Sequence, residues 1–472
     1  MAKGPTFGIR FIQKLHATCC PKLAVNKEVA YRTSILLLTY LSYTAFHVTR
    51  KPISVVKNVL HRNCSEVTPD GSLSAGQMAS DPHWCEWAPF DSPNSKALFG
   101  ILDSSFLFVY AFAMFFAGFV AERVRLRYFL TIGMILTGIF CYLFGFARTI
   151  NMHQLWYFIV VQVFAGIAQS TGFPSVVTLV GRWCGKAKRG LIFGIWNSHT
   201  PIGNILGTLI AAHYIEGDWS LSFLIPGAIT CLVAILIFIF LVDHPENVDI
   251  EIDAGTEEHA EAEGHKAISF LGALRISGVV EYALTLFFSK LVSYTFLYWL
   301  PNYIHNSTTL GAKKSADLST LFDVGGIAGA ILAGLISDLS GRSALTCAGM
   351  LIIAVPTMLV YQKWGSINIA MNIGMLLLAG ALVNGPYALI TTSVSAELGA
   401  KTKGDSSALA TITAIIDGTG SFGAAVGPLL AGVVSQGGWE RVFYMLVTAD
   451  VLALLMLTRL VIKELIKWKI TV

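Results

Sequence analysis

The sequence predicts an all-α membrane protein with twelve transmembrane helices, arranged as two pseudo-symmetric six-helix halves. Hydrophobic residues occupy 54% of the 472 positions and charged residues only 13%, whereas an average soluble domain has about 25% charged residues. Apolar windows of about 20 residues, the length that crosses a bilayer, recur almost from end to end. One long polar interruption, at positions 243–278, separates six of these windows from the other six.

The apolar windows place the twelve spans one by one. The first begins at Thr33, after a polar and basic segment with no cleavage site, so we expect it to act as an uncleaved insertion signal. The acidic run around Glu257 has no apolar periodicity and predicts a flexible linker. The predicted spans are 33–57, 97–121, 128–147, 155–180, 190–213, 219–242, 279–304, 316–337, 344–361, 368–394, 406–435 and 441–462.

Lys and Arg residues predict the orientation in the membrane. They are concentrated in the N-terminal segment, the even-numbered loops and the tail, which the positive-inside rule assigns to the cytosol. The N-glycosylation sequons at Asn63 and Asn306 fall in loops on the opposite side. The expected segments are a cytosolic N-terminal segment at 1–32, an N-terminal half at 33–242 with a luminal loop at 58–96, a cytosolic linker at 243–278, a C-terminal half at 279–462 and a cytosolic tail at 463–472.

Other classes of site are not indicated by the sequence. Cys64 and Cys85 share the loop at 58–96 and could form a disulfide there, or stay reduced if the compartment is not oxidising. No cysteine or histidine spacing predicts a metal site, and no catalytic or nucleotide-binding motif is present, so we expect neither a cofactor nor an enzyme. The net charge of +4 is spread over short loops, which makes nucleic acid a poor partner.

The first span carries two cations deep in the predicted membrane. Arg50 and Lys51 follow about 17 residues of this span. Tyr40, Tyr43 and His47 precede them at spacings of three and four, so they share one helical face with Arg50. Cations at this depth need a counter-charge, a water-filled cavity or an anionic ligand. The alternative is that both cations snorkel to the luminal interface.

The seventh span supplies another cation, Lys290. Spans one and seven occupy equivalent places in two pseudo-symmetric halves, so Arg50 and Lys290 could meet beside a central cavity. Such a pair favours a dianion such as a phosphate ester. The alternative is a structural pairing of Lys290 with Glu281, about 13 Å away along the helix, or with Asp417. As an intramembrane acid, Asp417 is itself a candidate for countering a cation or for capping a helix break.

Sequence motifs give the chain a family resemblance. The run GLISDLSGR at Gly334 and its degenerate copy GFVAERVRLR at Gly118 resemble a loop of the major facilitator superfamily, once in each half. The pattern RG-x5-WN ending at Asn197, followed by Gly203, is similar to the signature of the organophosphate:phosphate antiporter family. The resemblance covers essentially the whole membrane region and is strongest to the vertebrate sugar-phosphate exchangers of that family.

The resemblance implies the major facilitator fold and an alternating-access exchanger in which Arg50 and a cation of span seven bind phosphate. Two positions depart from the family pattern. Lys290 lies about one turn further from Trp299 than the family's cation usually does, and His199 lies one position closer to Asn197 than the family's histidine commonly does. The predicted substrate-binding residues are Tyr40, Tyr43, His47, Arg50, Lys51, Trp196, Asn197, His199, Lys290 and Asp417.

The function implied by the resemblance is exchange of a sugar phosphate, with glucose 6-phosphate as the leading candidate, for inorganic phosphate. Phosphate would neutralise the cavity cations and allow the carrier to close, which predicts obligatory exchange. The alternatives are a carrier of organic carboxylates and a transporter-shaped receptor or scaffold. The resemblance also implies the endoplasmic reticulum membrane. The expected partners are phosphate esters, inorganic phosphate and the lipid bilayer.

Overall fold

The computed structural model of the chain is helical in the part that it describes. That part comprises residues 7–10, 26–62, 64, 84–121, 123–184, 196–248, 250, 270–394, 398 and 406–471. These residues contain no β-strand, which confirms the all-α prediction.

Twelve membrane helices, α1–α12, can be followed through the described residues, and each overlaps one predicted span. Two of them, α1 and α4, consist of two segments, labelled a and b. The first six are α1a Lys27–Arg50, α1b Pro52–Leu60, α2 Ser95–Ala121, α3 Leu126–Phe146, α4a Leu155–Ser170, α4b Gly172–Cys184, α5 His199–Tyr214 and α6 Leu221–Phe240. The second six are α7 Val279–Ser307, α8 Ala312–Ser340, α9 Ser343–Trp364, α10 Ile369–Leu389, α11 Ser406–Val434 and α12 Trp439–Thr471.

Most of the predicted linker lies outside the described residues. Its described flanks contain two short helices, a 3₁₀ turn at Pro245–Val248 and an α-helix at Phe270–Leu274. The boundaries of the two halves and of the linker therefore stay predictions.

The outer surface of the helix bundle is apolar. Phe112, Leu232 and Ile331 are each more than half exposed, which is unfavourable in water but suits contact with lipid. Ten of the twelve helices followed through the described residues are long and apolar enough to cross a membrane, with α4a and α4b taken together as one span. The other two are α1, which is rich in Thr, Ser and Tyr, and α5, which is described over only 16 residues.

The first helix is broken where the sequence predicts a continuous span over 33–57. The helix is interrupted at Lys51 and then extends to Leu60. The cause is Pro52, because proline has no N–H to donate and its ring clashes with the carbonyl of the residue four positions earlier, while Lys51 itself keeps right-handed helical backbone angles. The interruption places Arg50 and Lys51 at a joint inside the membrane region.

The two halves meet through symmetry-related helix pairs. Helix α2 packs on α11 and α5 packs on α8, and an exchange of the two halves converts one pair into the other. The α2–α11 approach is close because a Cβ on Gly100 would lie 3.1 Å from the Leu429 carbonyl oxygen. A third contact joins α1b to α7. This arrangement confirms the predicted pairing of two pseudo-symmetric halves.

Hydrogen bonds join the halves at the end of the molecule that carries the α1–α2 loop. Lys57 Nζ donates to the Tyr298 carbonyl oxygen at 3.0 Å. Asn302 Nδ2 donates to Asn58 Oδ1 at 2.7 Å. The structure is therefore a state in which the halves are held together at this end.

At the opposite end, a carboxylate near the last helix of each half holds the N-terminus of the third helix of that half. Asp243 Oδ1 accepts from the Arg127 backbone N–H at the start of α3, at 2.8 Å. Glu464, near the end of α12, accepts from the N–H groups of Ala344 and Leu345 at the start of α9, at 3.1 and 2.8 Å. Each carboxylate satisfies helix N–H donors that have no partner in their own helix. The internal repeat of the sequence thus extends to these capping contacts.

Candidate functional site

Arg50, the last residue of α1a, is buried among helices of its own half. Its Nε donates to Gln169 Oε1 on α4a at 2.6 Å. The guanidinium lies 4.6 Å from the centre of the Tyr110 ring and 5.7 Å from that of Phe106, both on α2, which are favourable cation–π distances. Since Arg50 is only 5% exposed, the guanidinium is held inside the protein rather than at the lipid interface.

The charge of Arg50 has no described carboxylate to neutralise it. Its Nη2 is buried without a hydrogen-bond partner among the described residues, and the buried ion pairs described join other cations. Arg50 also lines a cavity of about 30 Å³ together with Gln162 and Gln169, enough room for about one water molecule. Water could satisfy the Nη2 donor, but it carries no charge. Arg50 therefore keeps the capacity to bind an anion.

Lys290 of α7, the predicted second cation, is engaged by an acid of its own half. Its Nζ lies 2.7 Å from Asp417 Oδ1 on α11 and 5.5 Å from the centre of the Tyr387 ring. Glu281, the other partner that the sequence leaves open, pairs instead with Arg459 at 2.8 Å. An anion that binds Lys290 must therefore compete with Asp417.

Lys51, predicted to bind substrate, binds the backbone of α7 in the structure. Its Nζ donates to the Leu297 carbonyl oxygen at 3.0 Å. That carbonyl has no helical donor, because the residue four positions later is Pro301, which lacks an N–H. Lys57 on α1b forms an ion pair with Asp103 at 2.5 Å, and both side chains are fully buried. These two lysines thus stabilise the contact between the halves in this state.

His199, at the start of α5, lies among three aromatic rings. The ring centres of Trp196, Tyr43 and Tyr40 are 4.2, 4.5 and 5.9 Å from that of His199. Its Nδ1 is 3.0 Å from Thr200 Oγ1, whereas its Nε2 is buried and has no partner among the described residues. This ring cluster combines flat apolar surfaces with an unused polar group, as ligand pockets often do.

His47 begins a hydrogen-bonded chain between the halves. Its Nδ1 lies 3.0 Å from Asn204 Oδ1 on α5, and Asn204 Nδ2 donates to Asp323 Oδ1 on α8 at 3.0 Å. Because the amide oxygen of Asn204 is an acceptor, the proton of this contact belongs to His47 Nδ1. His47 therefore contacts Asn204, the residue that joins α5 to α8. Its role in substrate binding stays a prediction.

The other residues that the sequence singles out have no described contact with Arg50. The backbone of Asn197 forms the turn before α5. Cys64 and Cys85 are joined by a disulfide. Asn306 lies in the last turn of α7, whereas Asn63 lies outside the described residues, so glycosylation at both sequons stays a prediction. Within the described part of the chain, no group of three or more metal-type ligands occurs.

Comparisons with known proteins agree with this geometry. The chain matches the Major Facilitator Superfamily over residues 90–414. It is 53% identical to the glucose-6-phosphate exchanger SLC37A2 of Bos taurus, over 93% of this chain and 96% of that protein. It is 44% identical to the glucose-6-phosphate exchanger SLC37A1 of Homo sapiens, over 98% of this chain and 97% of that protein.

The chain belongs to the organophosphate:phosphate antiporter family of the major facilitator superfamily. Two solved structures share the fold of this antiporter. A bacterial homolog of the human lysosomal transporter Spinster, in an inward-facing conformation, is 16% identical, with a TM-score of 0.64 over 93% of this chain and 96% of that one. The D-xylose-proton symporter is 14% identical, with a TM-score of 0.66 over 91% of this chain and 97% of that one.

Several polar residues in the interior of the antiporter are not among those predicted from the sequence. Asp103 and Asp323 could have been found, because an ionisable residue within a span is a functional candidate by default. Gln169 and Asn204 carry no charge and resemble many other amides in the sequence. Their importance becomes visible only when the fold places them beside Arg50 and His47.

Proposed function

We propose that this antiporter exchanges a sugar phosphate, with glucose 6-phosphate as the leading candidate, for inorganic phosphate. The observation that carries the proposal is Arg50, whose buried charge no described carboxylate neutralises and whose Nη2 has no described partner. The planar guanidinium offers paired N–H donors that match phosphate oxygens. The relatives named glucose-6-phosphate exchangers, which align over nearly the whole chain, support this substrate class.

In this proposal, the phosphoryl group binds between one cation from each half. Arg50 comes from the N-terminal half, and Lys290 comes from the C-terminal half. While the site is empty, Asp417 neutralises Lys290, and the arriving phosphate replaces Asp417 as its partner. Because the dianion then interacts with both halves, its binding favours conformations in which the halves close around it.

The sugar portion of the substrate contacts the ring cluster of Tyr40, Tyr43, Trp196 and His199. Tyr40 and Tyr43 precede Arg50 on the same face of α1a, about 10 to 15 Å away along the helix. The unpartnered His199 Nε2 offers a hydrogen bond to a sugar hydroxyl, and Asn197 lies in the adjoining turn. The ring cluster thus supplies the specificity for the organic part, and Arg50 supplies the affinity for phosphate.

Both termini face the cytosol in this proposal, and the α1–α2 loop faces the lumen of the endoplasmic reticulum. The distribution of Lys and Arg supports this orientation, as does the disulfide between Cys64 and Cys85, since disulfides persist in oxidising compartments. The halves are joined at the luminal end, so the site would open to the cytosol. Glycans removable by endoglycosidase H at Asn306 and Asn63 would support this location, whereas plasma-membrane staining would contradict it.

The test is uptake of labelled phosphate and labelled glucose 6-phosphate into phosphate-loaded proteoliposomes. We expect the parent to take up both, each competing with the other, and Arg50→Lys to lower uptake at least about tenfold. Lysine keeps the charge but loses the fork that binds two phosphate oxygens. Arg148→Lys is the matched control, because Arg148 is exposed and pairs with Asp218 at 2.8 Å, outside the site.

Other outcomes would assign another function. Uptake of an organic carboxylate without competition from phosphate would make the protein a carboxylate carrier. Ligand-dependent stabilisation without uptake of any solute would indicate a receptor or scaffold. Uptake by Arg50→Lys at the parent's rate would remove Arg50 from the phosphate site.

A further inference from the structure

We propose that Gln169 is a positioning residue that orients Arg50 towards phosphate and leaves its charge uncompensated. This inference rests on the proposed function and concerns how the site is prepared before substrate arrives. Gln169 lies at the end of α4a, is 3% exposed, and accepts a hydrogen bond of 2.6 Å from Arg50 Nε.

The directions of three hydrogen bonds fix the orientation of the Gln169 amide. Thr49 Oγ1 donates its only proton to the Phe46 carbonyl oxygen at 2.8 Å. Thr49 can therefore act only as an acceptor towards Gln169, whose Nε2 donates to it at 2.9 Å. The amide oxygen of Gln169 must then face Arg50 Nε. A flipped amide would place two donors against each other at Arg50.

Two aromatic rings constrain the guanidinium further. The ring centres of Tyr110 and Phe106 lie 4.6 and 5.7 Å from its Cζ atom. Gln169 occupies Nε, whereas Nη2 is buried without a hydrogen-bond partner among the described residues, so one donor group of the guanidinium stays unused. Holding this side chain in one rotamer before binding removes an entropy cost from phosphate binding.

An amide suits this position better than a carboxylate would. A glutamate has nearly the same shape, but it would form an ion pair with Arg50 and neutralise the charge that an anion must find. Two buried lysines, Lys57 and Lys290, are held by the carboxylates of Asp103 and Asp417. Arg50 is held by a neutral acceptor instead, which secures its geometry without cancelling its charge.

The Gln169 contact stays within one half of the antiporter. Arg50 and Thr49 belong to α1a, and Gln169 belongs to α4a, so all three move together if the halves rock as rigid bodies. The orientation of Arg50 is therefore the same whether the site opens to one side of the membrane or to the other. This property distinguishes Gln169 from Lys51, whose contact with the Leu297 carbonyl joins the two halves.

The decisive variant is Gln169→Glu, assayed by exchange of labelled phosphate for internal phosphate. At pH 7.5 we expect at least about a tenfold loss of exchange, with an unchanged or raised melting temperature, because the introduced carboxylate completes an ion pair with Arg50. The matched control is Gln154→Glu at the exposed N-cap of the same helix, which should exchange like the parent.

Two further variants separate positioning from a merely structural role. Thr49→Val removes the acceptor that fixes the amide, and we expect it to raise the KM for phosphate more than it lowers the maximal rate. Thr49→Ser keeps the acceptor and should restore the parent KM. If the parent exchanges phosphate and Gln169→Glu does so equally well at pH 7.5, the positioning role is wrong and the proposed function stands. If the parent itself exchanges no phosphate, the proposed function fails.

Discussion

Three buried cations of this antiporter differ in how their charge is balanced. Lys57 and Lys290 each have a carboxylate within ion-pair distance, Asp103 and Asp417. Arg50 has a neutral amide and two aromatic rings. Removing charges from water costs several kcal/mol per ion unless a partner repays it. Lys51 is also buried without an ion pair, but its ammonium donates to the Leu297 carbonyl. Arg50 lacks a described carboxylate partner and also keeps a donor, Nη2, without a described partner, so it is the cation prepared to receive a ligand.

The pair of Lys290 and Asp417 leads to a prediction that separates binding from stability. Lys290→Ala would leave Asp417 without its partner, and breaking such a buried pair typically costs about 3 to 5 kcal/mol. Loss of transport in this variant would therefore be ambiguous. The double variant Lys290→Ala with Asp417→Asn removes both charges and should melt close to the parent temperature while phosphate exchange stays lost.

Melting temperature and phosphate exchange should be measured together on both variants. Asp417→Asn alone serves as the comparison, because it leaves Lys290 charged and free to bind phosphate. Exchange by the double variant at the parent's rate would show that Lys290 is not a phosphate ligand.

The sequence could predict charged residues of the site but not their partners. Arg50 and Lys290 are conspicuous because a cation within an apolar window is costly. The sequence leaves Glu281 and Asp417 open as partners of Lys290, and only the packing of α7 on α11 decides for Asp417. Gln169 could not be found this way, since an amide in a span gives no electrostatic signal and its partner is 119 positions away.

At the scale of secondary-structure elements, two prolines make possible a hydrogen bond between the first and seventh helices. Pro52 interrupts α1 at Lys51, and Pro301 leaves the Leu297 carbonyl of α7 without its helical donor. The Lys51 ammonium takes the place of that donor. The break in α1 thus provides the cation, and the hydrogen bond that is missing within the continuous helix α7 provides the acceptor.

We predict that Pro301→Ala weakens the contact between halves at the luminal end. Alanine restores the N–H at position 301, which competes with Lys51 for the Leu297 carbonyl. The variant should open more often at the end that carries the α1–α2 loop. In a series in which every protein carries Asn302→Cys, so that the loss of its bond to Asn58 is common to all, this cysteine should react faster with a membrane-impermeant maleimide added on that side when Pro301 is replaced. The assay requires a background in which the six cysteines outside the disulfide are replaced, namely Cys19, Cys20, Cys141, Cys184, Cys231 and Cys347.

Lys51→Met in the same background provides the comparison, because it removes the donor of this hydrogen bond and keeps the length of the side chain. Both variants should accelerate labelling in the same direction. If Pro301→Ala labels at the parent's rate while Lys51→Met labels faster, the freed carbonyl does not contribute to the contact.

The capping carboxylates at the opposite end lead to a further prediction about elements. Glu464→Ala should destabilise the first turn of α9 by about 1 kcal/mol, the usual cost of losing a helix cap. Amide hydrogen exchange at Ala344 and Leu345 should accelerate, because their N–H groups lose their acceptor. Glu440→Ala on the same helix is the control, since Glu440 accepts from the Tyr444 hydroxyl instead. Equal exchange in both variants would argue against the cap.

Hydrophobicity predicts where the membrane helices lie better than it predicts where they end. The twelve spans were predictable because each needs about 20 apolar residues. The continuation of α1 to Leu60 was not, since α1b buries Lys57 and Asn58 against the opposite half rather than facing lipid. Polar residues at the end of a span indicate a loop only when water surrounds them. Here α7 of the C-terminal half covers Lys57 and Asn58, so the helix continues.

At the scale of the whole molecule, contacts of different kinds hold the halves together at the end that carries the α1–α2 loop, which we propose to be luminal. Gly100 allows α2 and α11 to approach closely, whereas Lys57 and Asn58 bind polar groups of α7. Each of these contacts must break for the site to open to the lumen. When the halves separate, polar groups can form hydrogen bonds with water instead, whereas apolar side chains cannot. This interface therefore suits repeated opening.

Obligatory exchange is the prediction that belongs to the whole molecule. To move between its two states with an empty site, the antiporter must carry the uncompensated charge of Arg50 through a closed and dehydrated intermediate. That charge is costly in a medium of low dielectric constant. Bound phosphate neutralises it, so the loaded carrier should isomerise much faster than the empty one. Uptake of labelled glucose 6-phosphate should therefore require phosphate inside the vesicles.

Loaded and empty proteoliposomes distinguish the two cases directly. We expect initial uptake to be at least about tenfold faster with internal phosphate than without it. In Gln169→Glu the charge of Arg50 is already neutralised, so its residual uptake should depend less on internal phosphate than that of the parent does. Equal rates in loaded and empty vesicles for the parent would mean that another group compensates Arg50 during the transition. The closing step would then not depend on the charge of the substrate.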